Sequence, residues 1–310
     1  MTILSYNTML LPPSPSSDTK WDQERRASRI GDADFLGGHD IILLQEIFSH
    51  GEVVLQKLTG KGYKEHTPIV GETTQGWDKT EGWRSGALYN GGVAIVSKHN
   101  IVQKEQVIYN DYCGWDSATA KGFAYAKLDM RGKFVHVIAT HTQSDDTSSQ
   151  VLFPGCGSIA TCKNLRKKQF NLINKFISEK ENSRVILPEE TVIIGGDMNV
   201  DRYSEECKEM AEILQVDTSA SSGYIREGAL YSYDTHTNTI AKERDPEGAR
   251  QDLDYIFLRK GHPKPETWHN RVMQTPPNAW TMKTAAQRWY TYDDLSDHYP
   301  LEAGPGTGCK

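Results

Sequence analysis

Eight polar or ionisable side chains stand at or near the ends of apolar stretches scattered along the whole sequence. Asn7 closes ILSYN, Glu46 closes IILLQE, and His141 follows FVHVIAT. Asp197 and Asn199 follow TVIIGG, Asp254 lies within QDLDYIF, and Asp297 and His298 sit in LSDHYP. Each alone has an ordinary structural use as a turn former, a cap or a hydrogen-bonded core residue. Together they have a chemical one. Asn7, Glu46 and Asp297 offer hard oxygen donors and no sulfur. That suits Mg²⁺, which takes one or two carboxylates and leaves its other positions to water or phosphate oxygens. His298, with an ordinary pKa of about 6.5, is a candidate general base, and Asp254 is a candidate partner to hold its tautomer. His141 and Asn199 can donate hydrogen bonds to a phosphoryl oxygen as charge builds on it. These parts suit metal-assisted attack of water on a phosphoester. The sequence has no serine or cysteine nucleophile elbow and no Walker-type phosphate loop.

Such groups need elements to position them. In TVIIGGDMNV, side chains alternate along the strand, so Asp197 and Asn199 share a face. The two glycines would let another backbone or a bulky group come close, although Gly, Asp and Asn are also ordinary turn residues. DIILLQE, GGVAIVS, KFVHVIATHTQ, TVIIGGD and DLDYIFL read as strands covered on both faces. Residues 21–35 and 162–179 read as helices. In the second, Leu165, Phe170, Ile173 and Ile177 make an apolar stripe, with Arg166, Lys167, Lys168 and Lys175 between them. Ser204, followed by Glu205 and Glu206, suits a helix start. Long loops are expected around 70–90, 142–161 and 217–250, and PPSPSS at 12–17 reads as a short irregular connection. The expectation is one α/β domain over residues 1–310, with strands packed between helical layers. Strand-end groups from separate segments meet in one crevice when their strands share a sheet.

Composition narrows the partners. The 310 residues are 37% hydrophobic and 25% charged, which is ordinary for a globular protein, and the net charge is -6. That balance offers no attraction to a polyanion, so no nucleic acid is expected as partner. No run of eighteen apolar residues would span a bilayer. The first strand begins at residue 2, with no leader before it; this fits a mature form from which a leader has been trimmed, and secretion is the expectation. None of the five cysteines makes a CxxC pair, so a zinc site is not expected. Cys113, Cys156 and Cys162 lie in loop-like sequence, where one disulfide among them and free thiols are both compatible with the spacing.

In order along the chain, SYN, LLQE, THTQ, GGDMNV, LDYI and SDHYP resemble the endonuclease/exonuclease/phosphatase superfamily. That resemblance implies a four-layer α/β sandwich of deoxyribonuclease I type, two central mixed sheets flanked by helices. GGVAIVSK, KFVHVIATHTQSDD, GGDMNV, TNTIAK and YTYDDLSDHYPLEA are similar, more closely, to the bacterial neutral sphingomyelinases. This second likeness implies an Mg²⁺-dependent phosphodiesterase of phospholipase C type that turns sphingomyelin into ceramide and phosphocholine; the metal's identity stays open, with Co²⁺ or Mn²⁺ as alternatives to Mg²⁺. It makes Glu46 the central metal ligand with Asn7 beside it, and Asp297 a metal-side acid. His298 is then the general base oriented by Asp254. His141, Asp197 and Asn199 contact the phosphate, and His141 is the choice for protonating the departing alkoxide. It also implies peripheral membrane contact through an aromatic β-hairpin, here at 276–292, with Trp280, Met282, Trp289 and Tyr290 as interfacial side chains; its KTAAQ tip is more polar than the family pattern. Cys113 and Cys156 fall where some members place a disulfide, leaving Cys162 and Cys207 unassigned. A monomer is expected. The alternatives are a related phospholipase C acting on other phospho-head-group lipids, or a deoxyribonuclease I-like nuclease.

Overall fold

The strand Ile41–Ile47 is apolar from Ile41 to Leu44 because both its faces are covered. Ile41 and Leu43 belong to one buried cluster, together with residues of a second sheet such as Ile138 and Ile193. Ile42 and Leu44 belong to another, with Ala27, Ile30, Val54 and Leu58 of two helices. A period of two with apolar side chains on both faces is what layered sheets require. The computed structural model describes residues 1–12, 21–147, 153–246 and 248–306.

Two mixed sheets form the centre. From edge to edge, the first runs Tyr224–Gly228, Trp268–Val272, Leu301–Pro305, Ile3–Leu10, Ile41–Ile47, Ala94–Ser97 and Glu65–His66. The second runs Asp254–Leu258, Thr191–Asp197, Phe134–His141, Gly122–Asp129, Asn100–Ile108 and Lys79–Glu81. Helices Gln23–Asp32 and Gly51–Gly60 cover the first sheet. Helices Ile159–Asn182 and Glu205–Leu214 add Phe170, Ile173, Ile177, Met210 and Leu214 to the cluster that holds the second sheet. This is the four-layer α/β sandwich of deoxyribonuclease I type that the motifs implied.

Several local expectations need correction. The helix expected over 21–35 is Gln23–Asp32, where Asp22 accepts from the Arg25 amide, and a separate 3₁₀ turn follows at Asp34–Leu36. The helix expected over 162–179 runs Ile159–Asn182, because Ser158 Oγ caps it by accepting from the Thr161 amide. Arg166 is buried within it, not on its solvent face. Its guanidinium reaches Glu206 at 2.6 Å and Asp145 at 2.7 Å, which compensates the buried charge. Ser204 does precede a helix, Glu205–Leu214, but its side chain makes no cap hydrogen bond. The 217–250 loop contains the strand Tyr224–Gly228 and a helix, Thr239–Arg244, capped by Asn238. Cys113 and Cys156 form a disulfide, while Cys162 and Cys207 are free and buried. Residues 13–17 of PPSPSS, part of the 142–161 loop, and Cys309 lie outside the described residues.

Candidate active site

Register gathers the strand-end groups. Ile3–Leu10 and Ile41–Ile47 run parallel and pair Asn7 with Gln45, so Asn7 and Glu46 reach the same end of the first sheet. In the second sheet, parallel pairing sets His141 beside Asp197. Antiparallel pairing then sets Asp254 opposite Asp197. Asn7 links the two sheets, because its side-chain amide donates to Glu46 Oε1 at 3.1 Å and to Asp197 Oδ2 at 2.9 Å. His141 Nε2 lies 3.5 Å from Asp197 Oδ2 and 3.9 Å from Glu46 Oε1. His298 Nε2 lies 3.8 Å from Asp197 Oδ2, and its Nδ1 pairs with Asp254 at 2.8 Å. Ser296 Oγ donates to the Asn7 carbonyl at 2.7 Å and meets Asp297 Oδ1 at 3.3 Å, which ties Asp297 to the same cleft. Asn199 is joined through its amide, which donates to Asp197 Oδ1, and through its side chain on the Thr142 carbonyl. All eight sequence candidates therefore belong to one cluster between the sheets.

Two of these residues have left-handed backbone. Glu46 has φ 56° and Asn199 φ 49°, both in the left-handed region that few non-glycine residues occupy. Of the two uses expected of the glycines before Asp197, the close approach of another backbone is the one the structure shows. A Cβ on Gly195 would lie 2.7 Å from Leu43 of the facing sheet, and one on Gly196 would lie 2.0 Å from the Thr140 carbonyl oxygen. They allow strand and sheet to approach closely; they do not clear a path for a ligand.

Burial sets the electrostatics. It raises the Glu46 carboxyl, with the Asp297 charge adding to the effect. Asp197 is pushed up to about 7, by burial first and then by Asp254. Burial also presses His141 well below the usual histidine value, and the positive charge of Lys121 and His298 presses it further. At His298 burial opposes the charge, but Asp254, Asp197 and Asp297 prevail and lift it to about 10. Glu46 Oε2 is buried without a hydrogen-bond partner among the described residues. An unpaired carboxylate oxygen there would be costly. Beside the Asn7 side chain, with Asp297 in the same cleft, the donor set fits a hard divalent cation. Glu46, His141 and Asp197 also place one ligand atom each within 4.8 Å of one another.

Sequence reasoning missed three residues. Lys121 Nζ lies 3.2 Å from His141 Nε2 and 2.8 Å from Asp116. Arg244 Nη1 donates to Asp297 Oδ2 at 2.9 Å. The Tyr233 ring stands 5.4 Å from the His298 ring. Lys121 carries no pattern that marks it, whereas Arg244 lies just past TNTIAK and could have been reached by extending that motif.

The hairpin corrects another expectation. Trp280–Lys283 pairs with Trp289–Tyr292 so that Trp280 opposes Tyr292 and Met282 opposes Tyr290. Opposed residues share a face. Trp280 and Met282 face inward: Trp280 is only 2% exposed, lies with its ring 4.9 Å from that of Tyr292 at a tilt and donates to the Asp294 carbonyl at 2.9 Å. Tyr290 is half-buried. The opposite face carries Trp289, 69% exposed, with Lys283 beside its ring. Of the four expected interfacial side chains, Trp280 and Met282 are core, because a two-stranded ribbon lying on a domain must bury one face.

A polar cleft between two mixed sheets, built from strand-end carboxylates, amides and imidazoles, is the setting of metal-dependent phosphoester hydrolysis. Residues 5–298 match the Endonuclease/Exonuclease/phosphatase family. The chain is 37% identical to the sphingomyelinase C of Listeria ivanovii over 302 residues, 96% of this chain and 84% of that protein. Its fold matches the crystal structure of sphingomyelinase C from Streptomyces griseocarneus with a TM-score of 0.88 at 38% identity, covering 98% of this chain and 99% of the other. It also matches a mutant β toxin from Staphylococcus aureus with bound magnesium ions, with a TM-score of 0.87 at 35% identity and the same coverage. The chain belongs to the Endonuclease/Exonuclease/phosphatase family and, within it, to the bacterial sphingomyelinase C group.

Proposed function

We propose that the chain is an Mg²⁺-dependent phosphodiesterase of phospholipase C type that hydrolyses sphingomyelin to ceramide and phosphocholine. The observation that carries this reading is the buried Glu46 Oε2, without a hydrogen-bond partner among the described residues, beside the His298–Asp254 pair, in a chain whose relatives include sphingomyelinases C. Glu46 and Asn7 would hold the cation, with Asp297 on its side of the cleft. Bound there, Mg²⁺ supplies Lewis-acid polarisation of a phosphoryl oxygen and positive charge that offsets the carboxylates holding His298 protonated.

The chain's own residues do the rest. Asp254 fixes the His298 ring through Nδ1 and leaves Nε2 facing the cleft, as a base for the attacking water requires. Asn199 and Lys121 supply a hydrogen-bond donor and fixed positive charge for the phosphoryl group. Departure of the ceramide alkoxide calls for a proton or a cation. His141 is held neutral, so it cannot serve as the proton reservoir alone. Asp197, lifted to about 7 and 3.5 Å from His141, makes with it a pair on which one proton can pass to the leaving oxygen.

Peripheral contact with a membrane is assigned to the outer face of the hairpin, now through Trp289, with Tyr290 half-buried behind it. The Cys113–Cys156 disulfide supports a secreted location, since such bonds persist in oxidising surroundings. A monomer of one catalytic domain over 1–310 completes the reading. No helix among the described residues is long and apolar enough to cross a membrane.

The test is a lipid panel, with phosphocholine and phosphoethanolamine release read separately, in Mg²⁺, Mn²⁺, Co²⁺ and EDTA, beside nicking of plasmid DNA. Phosphocholine released from sphingomyelin with Mg²⁺ and not with EDTA is expected. Release of phosphoethanolamine instead would move the assignment to another lipid, and plasmid cleavage without lipid turnover would move it to a nuclease.

A further inference from the structure

Strand direction fixes which loops surround the cleft. In the second sheet, Phe134–His141 runs antiparallel to Gly122–Asp129, which runs antiparallel to Asn100–Ile108, which runs parallel to Lys79–Glu81. The segments after Glu81, between Ile108 and Gly122, and after His141 therefore all leave that sheet at the His141 end. In the first sheet, Trp268–Val272 is antiparallel to Leu301–Pro305, which is antiparallel to Ile3–Leu10. The hairpin lies between Val272 and Leu301, so it leaves at the end that carries Asn7 and Glu46. The hairpin and the second-sheet loops thus flank the cleft from opposite sheets.

Exposed apolar side chains collect at this same end. Among the described residues ten large apolar side chains are exposed; only Val102 and Phe134 lie toward the other end, and the remaining eight stand in, or at the edge of, segments at the cleft end. Single exposed apolar residues need no explanation, but a concentration on one rim does. Apart from Trp289, its best-organised part is aromatic. Trp115, 45% exposed, lies with its ring 4.9 Å from that of Phe153, and Tyr112 is exposed under the Arg84 guanidinium, 3.5 Å from its ring centre. The Cys113–Cys156 disulfide joins the two segments that carry these rings. Gln143, two residues past His141, bonds both the amide and the carbonyl of Cys113, and Asp116 pairs with Lys121, the neighbour of His141. The cluster is therefore held a short chain of hydrogen bonds from the reacting groups.

We propose that Tyr112, Trp115 and Phe153 form a second lipid-contact surface, set across the cleft from Trp289, so that the protein meets a zwitterionic phosphocholine bilayer at two points with the cleft between them. This rests on the lipid-hydrolase reading above. Indole and phenol rings favour the membrane–water boundary. A covalent bridge holds the rings in place before contact, so little ordering entropy is lost on binding. A net charge of -6 gives no general pull toward an anionic surface, so aromatic contact must supply the affinity.

The experiment is sedimentation with vesicles of phosphatidylcholine and sphingomyelin in the His298→Ala background, which blocks turnover. Trp115→Ala and Trp289→Ala are expected each to weaken binding about tenfold, and together about a hundredfold, because distant sites add in free energy. Trp115→Leu should recover part of the loss, and Tyr112→Ser offers a second reading if Trp115→Ala fails to fold. Binding unchanged by Trp115→Ala and Tyr112→Ser, while Trp289→Ala weakens it, would overturn the second contact. So would a loss of turnover on a soluble phosphodiester as large as that on vesicles, when the Trp115 change is made in the unblocked enzyme. If the unmodified protein releases no head group from any lipid, the lipid-hydrolase reading fails instead, whatever the vesicles show.

Discussion

In the cleft the polar side chains are the buried ones: His141, Asp197, Asp254, Asp297 and His298 are all less than a tenth exposed and meet one another across two sheets. On the hairpin the apolar side chains divide, with Trp280 and Met282 in the core and Trp289 in solvent. Burial gives the cleft its chemistry by shifting proton affinities and leaving Glu46 Oε2 in need of a partner. Exposure is what leaves the hairpin's outer face open to the membrane contact proposed for it. Two tryptophans nine residues apart on one ribbon therefore sit in different surroundings, decided by the face on which each falls.

Substitution can break that contrast at several levels. The largest effect is expected in the cleft. His298→Ala and Glu46→Ala should each lower turnover about 10²–10⁴-fold or more, equally on vesicles and on a soluble phosphodiester. Far-ultraviolet circular dichroism and the melting temperature should stay close to those of the unmodified protein. A loss confined to vesicles would mean that these groups do not touch the reacting phosphate. Next comes Trp280→Ala. It removes a buried ring and leaves the Asp294 carbonyl unpaired, at a cost of about 3–5 kcal/mol in stability, visible in urea unfolding. Were Trp280 interfacial, the same change would leave stability untouched. The smallest effect belongs to Trp289→Ala: about tenfold less activity on vesicles, with stability changed by no more than about 0.5 kcal/mol, as for other exposed positions. Comparable losses on vesicles and on the soluble substrate would place Trp289 with Trp280 in the core.

Much of the cleft was legible because it breaks the usual pattern. A strand such as TVIIGGD, apolar until a glycine pair and then acidic, is unusual, and several such endings in one chain suggest a shared crevice. Register, which the sequence does not state, then decides that Asp197 faces Asp254 and His141. Lys121 escaped because its place arises from folding alone: a lysine just before a strand is ordinary until the fold sets it beside His141, whereas Arg244, ending a short helix beside Asp297, lay within reach of the TNTIAK motif. The glycines announce a close approach without naming what approaches, since nothing local shows that Leu43 of another sheet and the Thr140 carbonyl fill that space. On the hairpin the difficulty is of a different kind. An alternating strand presents the same residues whichever face it buries, and only the docking of helix Gln23–Asp32, whose Arg25 Nη1 bonds the Thr281 carbonyl at 2.6 Å, shows which side is inner. The aromatic cluster at Cys113–Cys156 could not be assembled without the fold, because Trp115 and Phe153 are far apart in sequence.

In the proposed mechanism Glu46 seats the cation while His298 handles the proton. Magnesium binding, measured by calorimetry, alongside phosphocholine release from sphingomyelin, separates these roles when Glu46→Gln is compared with His298→Ala. Glu46→Gln is expected to lose both magnesium binding and release, whereas His298→Ala should keep magnesium and lose release. Magnesium binding unchanged in Glu46→Gln, or phosphocholine release persisting in His298→Ala, would contradict that mechanism.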